Sequence, residues 1–192
     1  MKETMHKETI NKQEIRAVYT EDTIRIYQAY PSQIAEEALI RGTFGPSFKM
    51  TRMTWIKPSF LWMMYRCGWA KKENQERVLA IDIKREAFDY LVQNAVRSSY
   101  SDEMNLSFEE WQQQVRESEI RIQWDPERDI AGNPLEYRSI QLGIRGEMVR
   151  RYVNEWIVQI TDITEYVKEL DDRRMRGENI EVLLPKENVY SR

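Results

Sequence analysis

A chain of 192 residues, 41% hydrophobic and 11% aromatic, has the apolar side chains to close one core of its own, which points to a single domain. Its net charge of -3 excludes a polycation that coats nucleic acid along its whole length, so any anion site has to be a local patch. One cysteine, Cys67, excludes an intrachain disulfide, and one histidine, His6, in a polar leader, removes Ser-His-Asp and Cys-His nucleophiles and the usual zinc clusters.

In chain order, residues 1–13 read as a disordered leader without the apolar stretch of a signal peptide. IRAVYT (15–20) and TIRIYQAY (23–30) alternate and read as strands, with Glu21-Asp22 between them. Pro31 opens a short helix, PSQIAEEALIR, which stops at Gly42. TFGPSFKMTRMTW (43–55) is a loop, and Pro58 suits the first turn of the helix PSFLWMMYRC, which ends near Gly68. RVLAIDI (77–83) is a buried strand and REAFDYLVQNAV (85–96) an amphipathic helix. Ser107 and Glu110 form a capping box ahead of another helix.

IRIQW (120–124) is a strand, DPERDIAGNP (125–134) a turn-rich segment, and YRSIQLGI (137–144) a strand or strand-to-helix junction. A helix, GEMVRRYVNEW, a strand, WIVQITDI, and a last helix, TEYVKELDDRRM, follow. Without a βαβ rhythm, the expected class is α+β: one compact domain over residues 14–172, with small mixed or antiparallel sheets, packed helices and a polar C-terminal tail, 173–192. The longest apolar run, 60–65, is too short to span a bilayer, so the expectation is a soluble cytoplasmic protein.

Between Glu37 and Glu73 there is no Asp or Glu, where composition alone would place roughly six. The same window carries Arg41, Lys49, Arg52, Lys57, Arg66, Lys71 and Lys72, with Phe44, Phe48, Trp55, Phe60, Trp62, Tyr65 and Trp69 among them. Bases supply donors to phosphate or carboxylate, and aromatic faces stack on a base or nicotinamide ring. Phe60, Leu61, Met63 and Met64 read as core of the helix. Lys49, Arg52, Trp55 and Lys57, on its approach, are the candidate cofactor-binding residues, or else a solvated surface.

Three other constellations carry a chemical reading. Asp82 and Lys84 share one strand face, as in metal-dependent nucleases, with Glu76 as a further acid; a chance match of common residue types is the plainer account. WDPERD (124–129) is either an acidic catalytic or ribose-binding loop or, preferred here, an Asp-Pro turn laced with ion pairs. In YRSIQLGIRGE, Gly143 and Gly146 either permit a tight approach into the next helix, whose N-terminus would hold an anion, or simply give an ordinary strand–turn–helix its backbone freedom. Cys67 reads as a small core residue.

IYQAY, RMTWIKPSFLWMMYR, WDPERD and YRSIQLGIRG together resemble the bacterial and fungal family catalogued as domain of unknown function 4291, over about residues 15–170. That resemblance implies a compact single-domain cytoplasmic protein and brings no activity. The order of elements is also similar to the ADP-ribosyltransferase fold, whose enzymes bind NAD in a cleft between two small sheets. That similarity assigns the early catalytic role to Arg25 or Gln28, the middle one to Tyr65 and the late one to Gln141 or Glu147. The chain departs from that fold's pattern in having no core histidine, no Ser-Thr-Ser block and no clear Glu-x-Glu pair. The expectation is a nucleotide or phosphate site, that of an ADP-ribosyltransferase-like enzyme using NAD, with no metal. The alternatives are a nucleic-acid-binding module and a magnesium nuclease.

Overall fold

The computed structural model describes residues 12–191. The α+β class holds: among the described residues six α-helices pack around nine strands in three small sheets. The leader lies outside the described residues except for its last two, Lys12 and Gln13, which with Glu14 run beside Arg138.

The three-stranded sheet has β2 (Thr23–Tyr30) and β8 (Ile157–Asp162) on either side of β4 (Arg77–Lys84), all antiparallel. β4 is apolar at Val78, Leu79, Ala80, Ile81 and Ile83 because helices cover both of its faces. The four-stranded sheet runs β3 (Thr54–Ile56), β7 (Pro134–Ile144), β6 (Ile120–Arg128), β5 (Val96–Arg97), with only β5 and β6 parallel. In the smallest sheet β1 (Arg16–Ala17) pairs with β9 (Asn188–Val189). The IRAVYT segment thus contributes only two residues to a ladder, and Tyr19 bridges back to Ile24 across the Glu21-Asp22 turn.

The helices are α1 (Ser32–Arg41), α2 (Phe60–Cys67), α3 (Arg85–Asn94), α4 (Phe108–Glu117), α5 (Glu147–Arg151) and α6 (Thr164–Met175). Pro58 stands before the cap of α2 and not in its first turn; Ser59 is the cap, its hydroxyl accepting from the Trp62 amide at 3.1 Å. Gly68 closes α2 at φ +58°, a conformation costly for residues with a Cβ. The capping box at Ser107 and Glu110 forms on both sides. α5 runs into a π-helical turn, Tyr152–Trp156, which turns Tyr152 and Trp156 into the interior.

Two apolar clusters fill the domain. The larger joins both main sheets with α1 and α3. The smaller packs Phe60, Met63, Met64 and Cys67 of α2 against Tyr27, Val78, Val167 and Leu170. The core reading of α2 holds for Phe60, Met63 and Met64, while Leu61 is half-buried against the same cluster. The segment set apart as a polar tail is docked: Ile180 lies in the smaller cluster and Tyr190 in the larger.

Two corrections concern the four-stranded sheet. WDPERD is not a turn: β6 continues through Arg128, with a register shift between Pro126 and Arg128 that accommodates a residue without an amide proton. The reversal comes later, where the Asp129 and Asn133 backbones pair. YRSIQLGI is wholly strand.

Candidate functional site

The two main sheets meet edge to edge at one point. The Tyr27 amide donates to the Lys57 carbonyl at 2.8 Å, and the Gln28 side chain donates to the Trp55 carbonyl at 2.8 Å while accepting from the Tyr152 hydroxyl at 2.9 Å. Beyond this junction the sheets diverge, and a cleft of about 880 Å³ opens between β2, the loop 47–57, α2 and the face of β6 and β7.

Strand pairing fixes the floor. Trp55 stands opposite Gly143, Gln123 opposite Gln141, and Asp125 opposite Ser139, so alternate positions of three strands share one face. A Cβ on Gly143 would stand 2.9 Å from the Trp55 ring and from Met53 Sδ; glycine there lets the indole lie down on the sheet. Asp125 accepts from Gln123 Nε2 at 2.8 Å and from Gln141 Nε2 at 2.6 Å.

The basic loop is held at its base. Both Glu37 oxygens accept from Ser47, at its amide (2.9 Å) and its hydroxyl (2.6 Å), which holds the carboxyl below its usual range. Phe48 stacks on Phe44 with centroids 4.3 Å apart. Lys49 and Arg52 project beyond these anchors, and Arg66 faces the cleft from α2. Among the described residues none of the three has a side-chain ion pair or hydrogen bond. Of the residues lining the cleft, Lys49, Arg52, Lys57 and Arg66 are basic and only Asp125 is acidic.

Lys57 is 5% exposed. Its Nζ lies 3.3 Å from Asp125 Oδ2 and 2.8 Å from the centroid of the Trp62 ring. Burial pushes this amine down to about 7, against the opposing pull of Asp125. Behind it, Glu127 Oε1 accepts from the Ser59 hydroxyl and the Arg128 amide, both at 2.8 Å, and burial raises its carboxyl. Glu187 accepts from the Phe60 amide at 2.7 Å; burial, with Glu127 nearby, pushes it up to about 8.

Of the residues singled out from sequence, Gln28, Lys49, Arg52, Trp55, Lys57 and Gln141 converge on the cleft. Three others are elsewhere. Arg25 lies on the opposite face of β2 from Gln28 and clamps Asp82 with two bonds of 2.8 Å. Tyr65 is half-exposed on the outer side of α2, beneath the Arg128 guanidinium. Glu147 is at the surface in the first turn of α5, paired with Arg150. Asp82, central to the nuclease reading, has both oxygens engaged by Arg25, while Glu76 binds its own turn at the Asn74 amide. Sequence reading passed over Asp125 as a turn residue and did not single out Gln123 or, as a site residue, Arg66. The alternation of Ile120, Ile122 and Trp124 with Arg121, Gln123 and Asp125 was the available signal.

The model of one family, described as a domain of unknown function (DUF4291), matches residues 14–190. The chain belongs to this family. The DUF4291 match takes in every strand and helix described above, the docked C-terminal segment included. No curated protein matches the chain. None of the helices among the described residues is long and apolar enough to cross a membrane.

Proposed function

We propose that the cleft binds a nucleotide, NAD being the first candidate, and that the protein is an enzyme acting on it. The observation that carries this reading is the lining itself: four bases to one acid, with Trp55 laid flat along the floor. Cations without a protein partner are a natural seat for phosphates, and an indole face takes a heterocycle. A cavity near 880 Å³ is in the range of small-molecule sites and is large enough for a dinucleotide.

In this reading Lys49, Arg52 and Arg66 hold the pyrophosphate at the mouth, Trp55 carries a ring, and Gln28 and Gln141 face the reacting end. Of the roles assigned by likeness to ADP-ribosyltransferases, Gln28 and Gln141 keep the first and third. The middle role passes from Tyr65 to a cleft residue, Asp125 or Lys57. Positive charge at the mouth would stabilise a departing pyrophosphate.

The test is calorimetric titration with NAD, ADP-ribose, ATP and a short RNA. Saturable binding of NAD or ADP-ribose, weakened about tenfold or more in Arg52→Ala, is the expected result, since a charge-assisted bond is worth about 1.5–3 kcal/mol. Absence of nucleotide binding, or affinity indifferent to Arg52→Ala, overturns it. Binding of RNA alone, falling steeply with salt, would assign the patch to nucleic acid instead.

A further inference from the structure

We propose that Lys57 is a reactive amine and that the cleft takes a phosphate-bearing aldehyde or ketone, whose carbonyl carbon Lys57 Nζ captures as an imine. The inference goes beyond the nucleotide reading and shares with it the basic mouth, Trp55 and the pair Lys57 and Asp125.

The geometry around Nζ carries it. A buried ion pair that serves only structure needs close contacts and a full set of hydrogen bonds to offset the desolvation of both charges. Lys57 has neither. Its one hydrogen bond, to Asp125, is long at 3.3 Å, and its other close neighbour is the face of Trp62. Asp125 makes its short bonds to Gln123 and Gln141. The ammonium is therefore under-solvated. Burial is what chiefly disfavours protonation; Asp125 and Glu127 oppose it without cancelling it, and Arg66, on the same wall, adds a smaller push in the same direction as burial. Near neutral pH a substantial share of the amine is the free base, the form with a lone pair to donate.

The surroundings suit a carbonyl addition. Nζ lines the cleft, and so does Asp125, which is 19% exposed at its side chain. The Nζ lone pair attacks the carbonyl carbon and the carbon–oxygen π pair moves onto oxygen. Asp125 takes a proton from nitrogen and returns one to that oxygen, giving the carbinolamine. Asp125 then moves the remaining nitrogen proton to the hydroxyl, which leaves as water while nitrogen's electron pair closes the C=N bond. Nothing is oxidised or reduced, and the balance is one amine and one carbonyl to one imine and one water. Lys49, Arg52 and Arg66 at the mouth hold the phosphate, and Trp55 supports any planar part of the ligand.

Pyridoxal 5′-phosphate on the wild-type protein at pH 7.5, reduced with borohydride and mapped by mass spectrometry, tests this without a variant that has to fold. The expected product is one phosphopyridoxyl group on Lys57. Its formation should be at least about tenfold faster than on exposed Lys49, Lys72 or Lys84, since each unit by which an amine is depressed gives about tenfold more free base. Pyridoxal, lacking the phosphate, should label at least about tenfold more slowly. Label spread over surface lysines, or an unmodified Lys57, overturns the proposal, and equal rates with pyridoxal overturn the ligand class. NAD in the same incubation separates the two readings. Labelling of Lys57 undiminished by saturating NAD supports the imine and counts against the nucleotide. An unlabelled Lys57 in protein that binds NAD does the reverse.

Discussion

Two ionisable residues of one cluster, Glu187 and Lys57, shift in opposite directions. Glu187 is raised from 4.5 to about 8, so between those values the folded state binds more protons than the unfolded chain. Its contribution to stability is present below about 4.5 and is lost as pH rises to about 8. Lys57 is lowered from 10.5 to about 7, so across that window the unfolded chain binds more protons and stability rises with pH. Glu187→Gln keeps an acceptor for the Phe60 amide and removes the first effect alone. Its melting temperature is expected to vary less than that of the wild type between pH 5 and 8, and to exceed it at pH 9 by the equivalent of roughly 1–3 kcal/mol. Thermal melts across pH check this, and an unchanged profile would count against it. Arg25 and Asp82 give a contrasting residue-scale case. Asp82→Ala strands a half-buried guanidinium and should cost about 1–3 kcal/mol of stability with no change in ligand affinity, because the pair faces away from the cleft. A loss of affinity equal to that in Arg52→Ala would contradict the placement.

At the scale of the elements, the cleft depends on the register of β3 against β7. Gly143→Ala puts a methyl 2.9 Å from the Trp55 ring and Met53 Sδ, so the indole must lift. The expected result is a stability loss of about 1–3 kcal/mol by overpacking, together with weaker nucleotide binding. Chemical denaturation and titration on the same sample separate the two, and stability loss with unchanged affinity would remove Trp55 from the site. This register also shows where the sequence was legible. β2, β4, α1, α2 and the capping box at Ser107 were readable because each rests on local signals: alternation, a cap, a glycine stop. The basic loop was readable because charge composition survives without knowledge of the fold. Asp125 was not, because the dipeptide Asp125-Pro126 has the form of a turn, and only the shifted ladder against β7 makes it strand. Arg25 and Tyr65 were misplaced for a related reason. Period-2 and helical spacing say which residues share a face, and only tertiary packing says which face looks into the cleft.

For the whole molecule, the question is why a polar C-terminal segment is docked at all. Residues 176–191 cross three parts of the fold. Ile180 enters the cluster under α6, Glu187 meets the first amide of α2, and Tyr190 closes over α3, bonding Asp89 at 2.8 Å with its ring edge on Tyr19 and Phe88. Two of these contacts hold the scaffold, and one bears on the helix that carries Trp62 and Arg66 into the cleft. The consequences should separate. Tyr190→Ala removes a buried ring far from the ligand and is expected to cost about 3 kcal/mol, or roughly 6–12 °C in melting temperature, with affinity unchanged. Removal of residues 186–192 takes away the Tyr190 contacts and also the acceptor beneath α2. It should therefore lower stability by at least as much and weaken the ligand as well, since the start of α2 loses its Phe60 anchor. Denaturation and titration of the two variants side by side decide the matter. If the truncated chain melts lower yet binds with full affinity, the C-terminal segment supports the fold without positioning the cleft wall, and the orientation of Arg66 is set by Ser59 and Glu127 alone.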